Sequence, residues 1–237
     1  MTPKIYNQCK LCLKNRELKH SHIYPKWAVK NLRDEETSRF ATIPKSNAQD
    51  GPKEYLLCEE CEAKFARREK YFRELILSRR VAGNIPVEFI KIEKEKIQIT
   101  PFDFQQVKYF IMSILWRSSV TSISCWATSL DKEEKEMLRQ KLDAEATFTA
   151  EFFPTKTDLL YIDGLNDSKI LVNPHELHIK YGTIIAILIC GIVFYIHPAN
   201  SNIMFTHFIT LKEDSWTLRL KTPADLNWLN LDHLNMD

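Results

Sequence analysis

The sequence predicts an α+β protein, with an N-terminal zinc module over residues 1–80 and a helical and antiparallel-β domain over 81–237. Three observations carry this. Cys9-x-x-Cys12 and Cys58-x-x-Cys61 are two thiol pairs at metal-ligand spacing. Two helix-period segments follow, at about 103–118 and 131–144. From about residue 152 to 220 the chain reads mainly as short strands rich in Ile, Val and Thr.

The first element is a knuckle turn, Cys9-Lys10-Leu11-Cys12. A short helical stretch follows Pro25, with Trp27 and Val29 among its apolar positions. Residues 33–53 are polar and turn-rich, ending in Gln49-Asp50-Gly51-Pro52. A helix is expected over 59–80, with Ala63, Ala66, Tyr71, Phe72, Leu75 and Ile76 on its apolar face. Cys61 therefore opens a helix. A knuckle giving two ligands and a first helical turn giving two more is the treble-clef plan. Two thiolates at this spacing reach one zinc ion at about 2.3 Å each.

Residues 85–100 alternate like a hairpin. The 103–118 helix carries Val107, Phe110, Ile111, Ile114 and Leu115 inward, and Trp116-Arg117 reads as a packing anchor with a buried or interfacial ion partner. The 131–144 helix is more charged, with Met137, Leu138 and Leu142 inward. Strands are expected at 159–162, 169–172, 183–196, 204–209 and 216–220, the third either one strand or two that turn near Cys190-Gly191. His175, His178, His197 and His207 have no metal-ligand spacing, and the C-terminal half shows no catalytic motif.

A chain of 237 residues holds one or two domains and can bury a sizeable core, so zinc is not its only source of stability. The net charge of +2 conceals an asymmetry. Residues 1–80 carry 18 Lys and Arg against 11 Asp and Glu, a net +7; the remainder carries 15 against 20, a net −5. A basic first third suits a polyanion, and a solvated charged face is the bland alternative. Cys125 and Cys190 lie in apolar surroundings and read as small buried hydrophobes. Thiol pairs without an apolar leader at Met1-Thr2-Pro3-Lys4 point to metal binding in a reducing cytoplasm. The run 183–196 is too short to cross a membrane, so no membrane association is expected.

Between the cysteine pairs lies Ser21-His22-Ile23-Tyr24-Pro25-Lys26. This segment resembles the Asp-His-Ile-x-Pro motif of HNH nucleases, the His-Me finger or ββα-metal class, which also sits between zinc knuckles. With Asp50-Gly51, Leu56-Leu57-Cys58-x-x-Cys61-Glu62, Phe65, Phe72 and Ile114-Leu115-Trp116-Arg117-Ser118, it is more closely similar to a bacterial group of HNH-like proteins. The motif resemblance covers about residues 5–75. It implies a ββα-metal module, a structural zinc on Cys9, Cys12, Cys58 and Cys61, and a catalytic Mg²⁺ or Mn²⁺. His22 matches the histidine that activates water, and Glu62 takes the place of the helix Asn or His that helps bind the catalytic metal. Ser21 stands where the family carries a metal-binding Asp or His, which is this chain's main departure. His20, or Asn47 and Asp50 on the intervening loop, are the substitutes to consider.

The resemblance implies a metal-dependent nuclease acting on phosphodiesters, with DNA expected ahead of RNA and a role in phage defence or a mobile element. Lys26, Lys64, Arg67 and Arg68 are the candidate phosphate contacts. Two other readings use the same residues. One is a non-catalytic zinc-finger module that binds nucleic acid; the other is an interaction subunit that docks a partner or a second copy through 81–237.

Overall fold

Thirteen strands and four α-helices are built from the described residues of the computed structural model, 4–30, 42–43, 51–160, 171–180, 182–198 and 209–226. Asn47, Asp50, His207 and the expected strand residues 161–162, 169–170 and 204–208 lie outside them.

The N-terminal part is a three-stranded antiparallel sheet leading into a helix. β1 (Ile5–Gln8) pairs with β2 (Asn15–His22), and β2 pairs with β4 (Lys53–Cys58) in a register from Leu18↔Cys58 to His22↔Lys53. A bulge at Lys19/His20 shifts the alternation, so Leu18 and Ser21 both point inward. Short helix α1 (Lys26–Lys30) lies between β2 and β4 and starts on the Pro25 carbonyl. Gly51 precedes β4 at φ +78°, where a Cβ would lie 2.8 Å from Val29 Cγ2, so both the backbone and the space demand glycine. α2 (Glu59–Arg73) follows β4 without a linker, then continues as one wider turn over Glu74–Ser78.

α2 buries Cys61, Phe65 and Phe72, with Leu75 buried in the turn beyond; Ala63 and Ala66, expected on that face, are exposed. Phe65 sets the true phase, because a large ring gains more from burial than alanine does. In α4 (Lys132–Asp143), Leu138 and Leu142 face inward as expected while Met137 is exposed, and Glu134 is buried instead. Asp131 and Glu134 close a capping box that fixes where this helix starts.

α3 (Phe104–Val120) is buried on nearly every side, and Asp103 caps it by accepting from the Gln106 N–H. Its rings join the two parts of the chain. Phe110 stacks on Phe72 at 4.2 Å between centroids, and Phe72 lies 6.1 Å from Phe194 and 6.3 Å from Trp27 and Trp216. One hydrophobic core therefore runs across the boundary at residue 80.

The second sheet has eight strands in the order β3-β10-β11-β12-β9-β13-β8-β7. Its members are β3 (Thr42–Ile43), β7 (Glu88–Glu93), β8 (Lys96–Thr100), β9 (Thr155–Leu160), β10 (Leu171–Ile179), β11 (Gly182–Ile189), β12 (Ile192–Ile196) and β13 (Trp216–Lys221). β5 (Arg80–Val81) and β6 (Ile85–Pro86) form a separate small ladder. The expected hairpin at 85–100 is β7–β8, and 183–196 is indeed two strands. They turn at Cys190 (φ 52°) and Gly191 (φ 76°), the left-handed pair that a tight hairpin needs.

The sheet is mixed rather than antiparallel: β13 runs parallel to β9, and β3 runs parallel to β10. Strand alternation reports which face is buried but not the direction of a neighbour, which depends on the crossover between them. Cys190 is buried as expected, whereas Cys125 is exposed, on a short turn over Ser124–Trp126.

Lys108 is fully buried on α3, where its ammonium donates to Phe153 O (2.8 Å) and Thr155 Oγ1 (2.9 Å). Burial pulls its pKa down to about 7. The unfolded chain keeps that proton up to about pH 10.5, so between pH 7 and 10 it binds more protons than the folded chain and folding stability rises with pH. The stability of wild type relative to Lys108→Met is expected to rise by about 2–3 kcal/mol between pH 7 and 9.5. Urea midpoints across that range check it, and a pH-independent difference would contradict it.

Candidate functional site

The four cysteines converge from the two ends of the N-terminal module. Cys9 follows β1 and Cys12 lies in the turn that leads to β2. That turn is closed by Cys9 N–H to Lys14 O and Leu13 N–H to Cys9 O, both 2.9 Å, with Leu13 in the left-handed region at φ 60°. The Lys10 N–H reaches Leu56 O at 2.9 Å and ties the turn to β4. Cys58 is the residue before α2, and Cys61 is in its first turn.

Their sulfurs all lie within 4.8 Å of one another, with Cys12 Sγ and Cys58 Sγ 3.9 Å apart. Tetrahedral zinc–sulfur bonds of about 2.3 Å would set the sulfurs roughly 3.8 Å apart, so the donor set fits a metal such as zinc. The Cys9 thiol is pushed down to about 4 by the Cys61 thiol and by the N–H groups of Cys12, Cys58 and Leu11. The Cys61 thiol is pushed up, first by its bond to Cys9 and then by burial. Four crowded thiols cannot all ionise without a cation, and a metal ion would supply it.

Beside this centre, Ser21 and Glu62 meet. Ser21 is 2% exposed; its Oγ accepts the Leu57 N–H at 3.2 Å and its hydroxyl donates to the Lys19 carbonyl at 3.3 Å, with the Glu62 carboxylate close enough to feel it. Burial raises the Glu62 pKa, against the opposing pull of Ser21 and the nearby Arg117 guanidinium. Glu62 Oε1 is buried without a hydrogen-bond donor among the described residues. His22 is the next residue on β2 and is half-buried. His20 is exposed and its ring stacks on Tyr55 at 4.8 Å. Among the described residues, the four cysteines are the one cluster of three or more His, Cys, Asp or Glu that could hold a metal ion.

Arg117 locks this corner. It is 2% exposed; Nη2 pairs with Glu69 Oε1 at 2.9 Å and Nη1 donates to the His22 carbonyl at 2.9 Å. Its Nε reaches Ser113 O at 3.3 Å, and the guanidinium lies 5.3 Å from the Phe65 ring centre. The expected ion partner is thus Glu69, two helical turns beyond Glu62 and on the same face of α2. That spacing was readable, but which acid the arginine meets was not.

The candidate phosphate contacts divide. Lys26 is exposed. Lys64 is bound to Asp143 Oδ1 at 2.8 Å, and Glu145 takes both Arg67 (2.7 Å) and Arg68 (2.6 Å). Arg68 also lies 4.4 Å from the centre of the Tyr109 ring. These three cations tie α2 to the end of α4. Glu54 does similar work near the end of α3, accepting from Thr121 Oγ1 at 2.7 Å and from Ser122 N–H at 2.9 Å.

No family model, curated protein or solved structure matches the chain. No helix among the described residues is long and apolar enough to cross a membrane.

Two predictions follow from the geometry. Purified protein is expected to carry one metal ion per chain by mass spectrometry of metals, and Cys58→Ser to lose most of it; an unchanged stoichiometry would contradict the four-thiol centre. Arg117→Met is expected to cost about 2–3 kcal/mol in urea unfolding, because Glu69, only 18% exposed, is left without its cation. Adding Glu69→Gln should recover part of that loss, and strict additivity would show that the two do not act as a pair.

Proposed function

We propose that the chain is a zinc-anchored, HNH-type nuclease that hydrolyses nucleic-acid phosphodiesters. The observation that supports it is the approach of the Ser21 side chain to the buried Glu62 carboxylate, beside His22. These are the positions that match the metal-binding pair and the base of that class, and nothing in their separation along the chain requires them to meet. On this reading the knuckle, hairpin and first helical turn are a treble clef, with the four cysteines as its structural zinc site. The order β2, β4, α2 is then the ββα unit.

Glu62 would hold the catalytic Mg²⁺ or Mn²⁺, since Oε1 is a buried acceptor with no donor among the described residues. Mg²⁺ is commonly held by one or two carboxylates and keeps several waters. Such an ion, when bound, polarises the scissile phosphate. His22 takes a proton from the attacking water, a role to which an imidazole is suited at neutral pH. Arg117 holds the His22 backbone in place through its carbonyl. Lys26 offers an exposed cation at the start of α1, just beyond β2, where a DNA phosphate would approach. Defence or mobile-element work is the setting we infer from the resemblance, with 81–237 free to meet a partner or a second copy.

A second reading, a nucleic-acid-binding module without hydrolysis, is favoured by Ser21 itself. Its hydroxyl is buried and already engaged, so the site has one carboxylate where the family has two metal-binding side chains. Plasmid or single-stranded DNA incubated with Mg²⁺ or Mn²⁺ separates the two. Cleavage is expected, with losses of about 100-fold or more in His22→Ala and Glu62→Gln while the structural metal is retained. Wild-type rates in His22→Ala would remove His22 from the reaction. Salt-sensitive binding with no cleavage under either ion would leave the second reading standing.

A further inference from the structure

The eight-stranded sheet has two faces. One carries the main core, with Ile185, Ile187, Phe194, Trp216 and Leu218 packed toward the helices. The other has a smaller apolar cluster around Leu160, Val193 and Tyr195, and beside it a group of charges. These charges come from alternate positions of two neighbouring strands. Lys156 and Asp158 stand on β9, and Arg219 and Lys221 on β13, with Arg219 directly opposite Asp158. They line a cavity of about 360 Å³ that is closed on its apolar side by Leu177, Ile184 and Leu226.

The charges in this cavity are not evenly matched. Asp158 is 2% exposed and both its oxygens are taken by Arg219, at 2.9 and 3.2 Å. That pair neutralises itself. Lys156 reaches Asp158 only at 3.9 Å, and Lys221 reaches Asp225 only at 3.9 Å. Neither ammonium makes a hydrogen bond among the described residues. Asp225 also lines the cavity; its Oδ2 accepts from the Thr222 N–H at 2.8 Å and hydroxyl at 2.9 Å, which leaves Oδ1 facing Lys221. The Lys156 ammonium lies 5.1 Å from the centre of the Tyr195 ring and is partly withdrawn from water. Burial, Arg219 and Lys221 all oppose its charge, against the pull of Asp158. Two ammonium groups with unused donors thus face one open-sided cavity beside an apolar wall.

We propose that this cavity binds a small organic phosphate of about mononucleotide size. A phosphate monoester carries nearly two negative charges at neutral pH and three acceptor oxygens, which matches two ammonium groups with donors to spare. The volume lies within the range of small-molecule sites, and the wall of Leu177, Ile184 and Leu226 would take the organic part. The site is on the far face of the sheet from the metal centre, and it does not depend on the nuclease reading.

Calorimetric titration of the full chain tests this, with adenosine monophosphate, glucose 6-phosphate, phenyl phosphate, inorganic phosphate and adenosine as probes. At least one of the three organic phosphates is expected to bind with a Kd below about 1 mM. Inorganic phosphate and adenosine should bind at least tenfold more weakly than it. Lys156→Met combined with Lys221→Met should weaken the organic phosphate at least tenfold, while the thermal midpoint of the free protein stays close to wild type. Should the double variant fail to fold, Lys221→Gln at the cavity rim is expected to weaken binding about threefold. His22→Ala should leave binding unchanged. Failure of all three organic phosphates to bind at millimolar concentration would overturn the proposal, as would lysine variants that bind as wild type does. Inorganic phosphate binding as tightly as the organic phosphates would overturn the assignment of the apolar wall.

Discussion

A buried guanidinium sets the terms for the corner where the two parts of the molecule meet. Arg117 is withdrawn from water on α3, so its donors have to be satisfied by protein groups. Three elements supply them: α3 through Ser113, α2 through Glu69, and the end of β2 through the His22 carbonyl. Hydrogen bonds are directional, so this fixes the rotation of α2 about its axis as well as its distance from α3. Phe65, Glu69 and Phe72 then face inward together, and Glu62 is carried to Ser21 by the same rotation. Apolar contact alone would tolerate a small slide of the two helices, but a buried ion pair does not.

The four-cysteine cluster and the ring cluster act on opposite ends of the same helix. Cys58 and Cys61 hold the start of α2 against the Cys9–Cys12 turn. Phe72 holds its far end against Phe110, Phe194 and Trp216. Ligation of a metal by these four thiols would be strong but local, reaching no further than the turn and the first helical residues. The ring cluster is individually weaker and extends into the large sheet. The hairpin and α2 therefore fold back on a core to which residues beyond 80 contribute most of the bulk. The module expected over residues 1–80 ends with its long helix and carries most of the basic charge, whereas the hydrophobic core continues past that point. Charge is a property of the surface, whereas the continuity of the core depends on which rings touch.

Legibility in the sequence follows the range of the interaction that fixes each feature. Cys-x-x-Cys spacing, the caps at Asp103 and Asp131, and the Cys190-Gly191 turn are local, and all are readable from a few neighbouring residues. The phase of α2 was half readable. Alanines were placed inward by period alone, but Phe65 has more to gain from burial and takes the inner face. The parallel pairing of β13 with β9 depends on a connection that alternation does not describe. The partners of Lys64, Arg67 and Arg68 lie about eighty residues away, at the end of α4, so these side chains looked unclaimed. The proximity of Ser21 to Glu62 was suggested by resemblance to a family, and no periodicity within this chain could have produced it.

The faces of α2 also restrict how a nucleic acid could reach the proposed site. One face holds Cys61, Phe65 and Phe72 against the core and Glu69 against Arg117. A second holds Lys64, Arg67 and Arg68 against Asp143 and Glu145. A polymer that lay along the helix would have to break these ion pairs, of which those of Lys64 and Arg68 are partly shielded from solvent. At the end of β2 no such exchange is needed, since Lys26 is exposed and His22 is only half-buried. If the chain cuts a phosphodiester, the approach is therefore across the strand end and α1. The usual basic helix face would be occupied by structure, and affinity would have to come from few charges, which makes it modest and only moderately sensitive to salt.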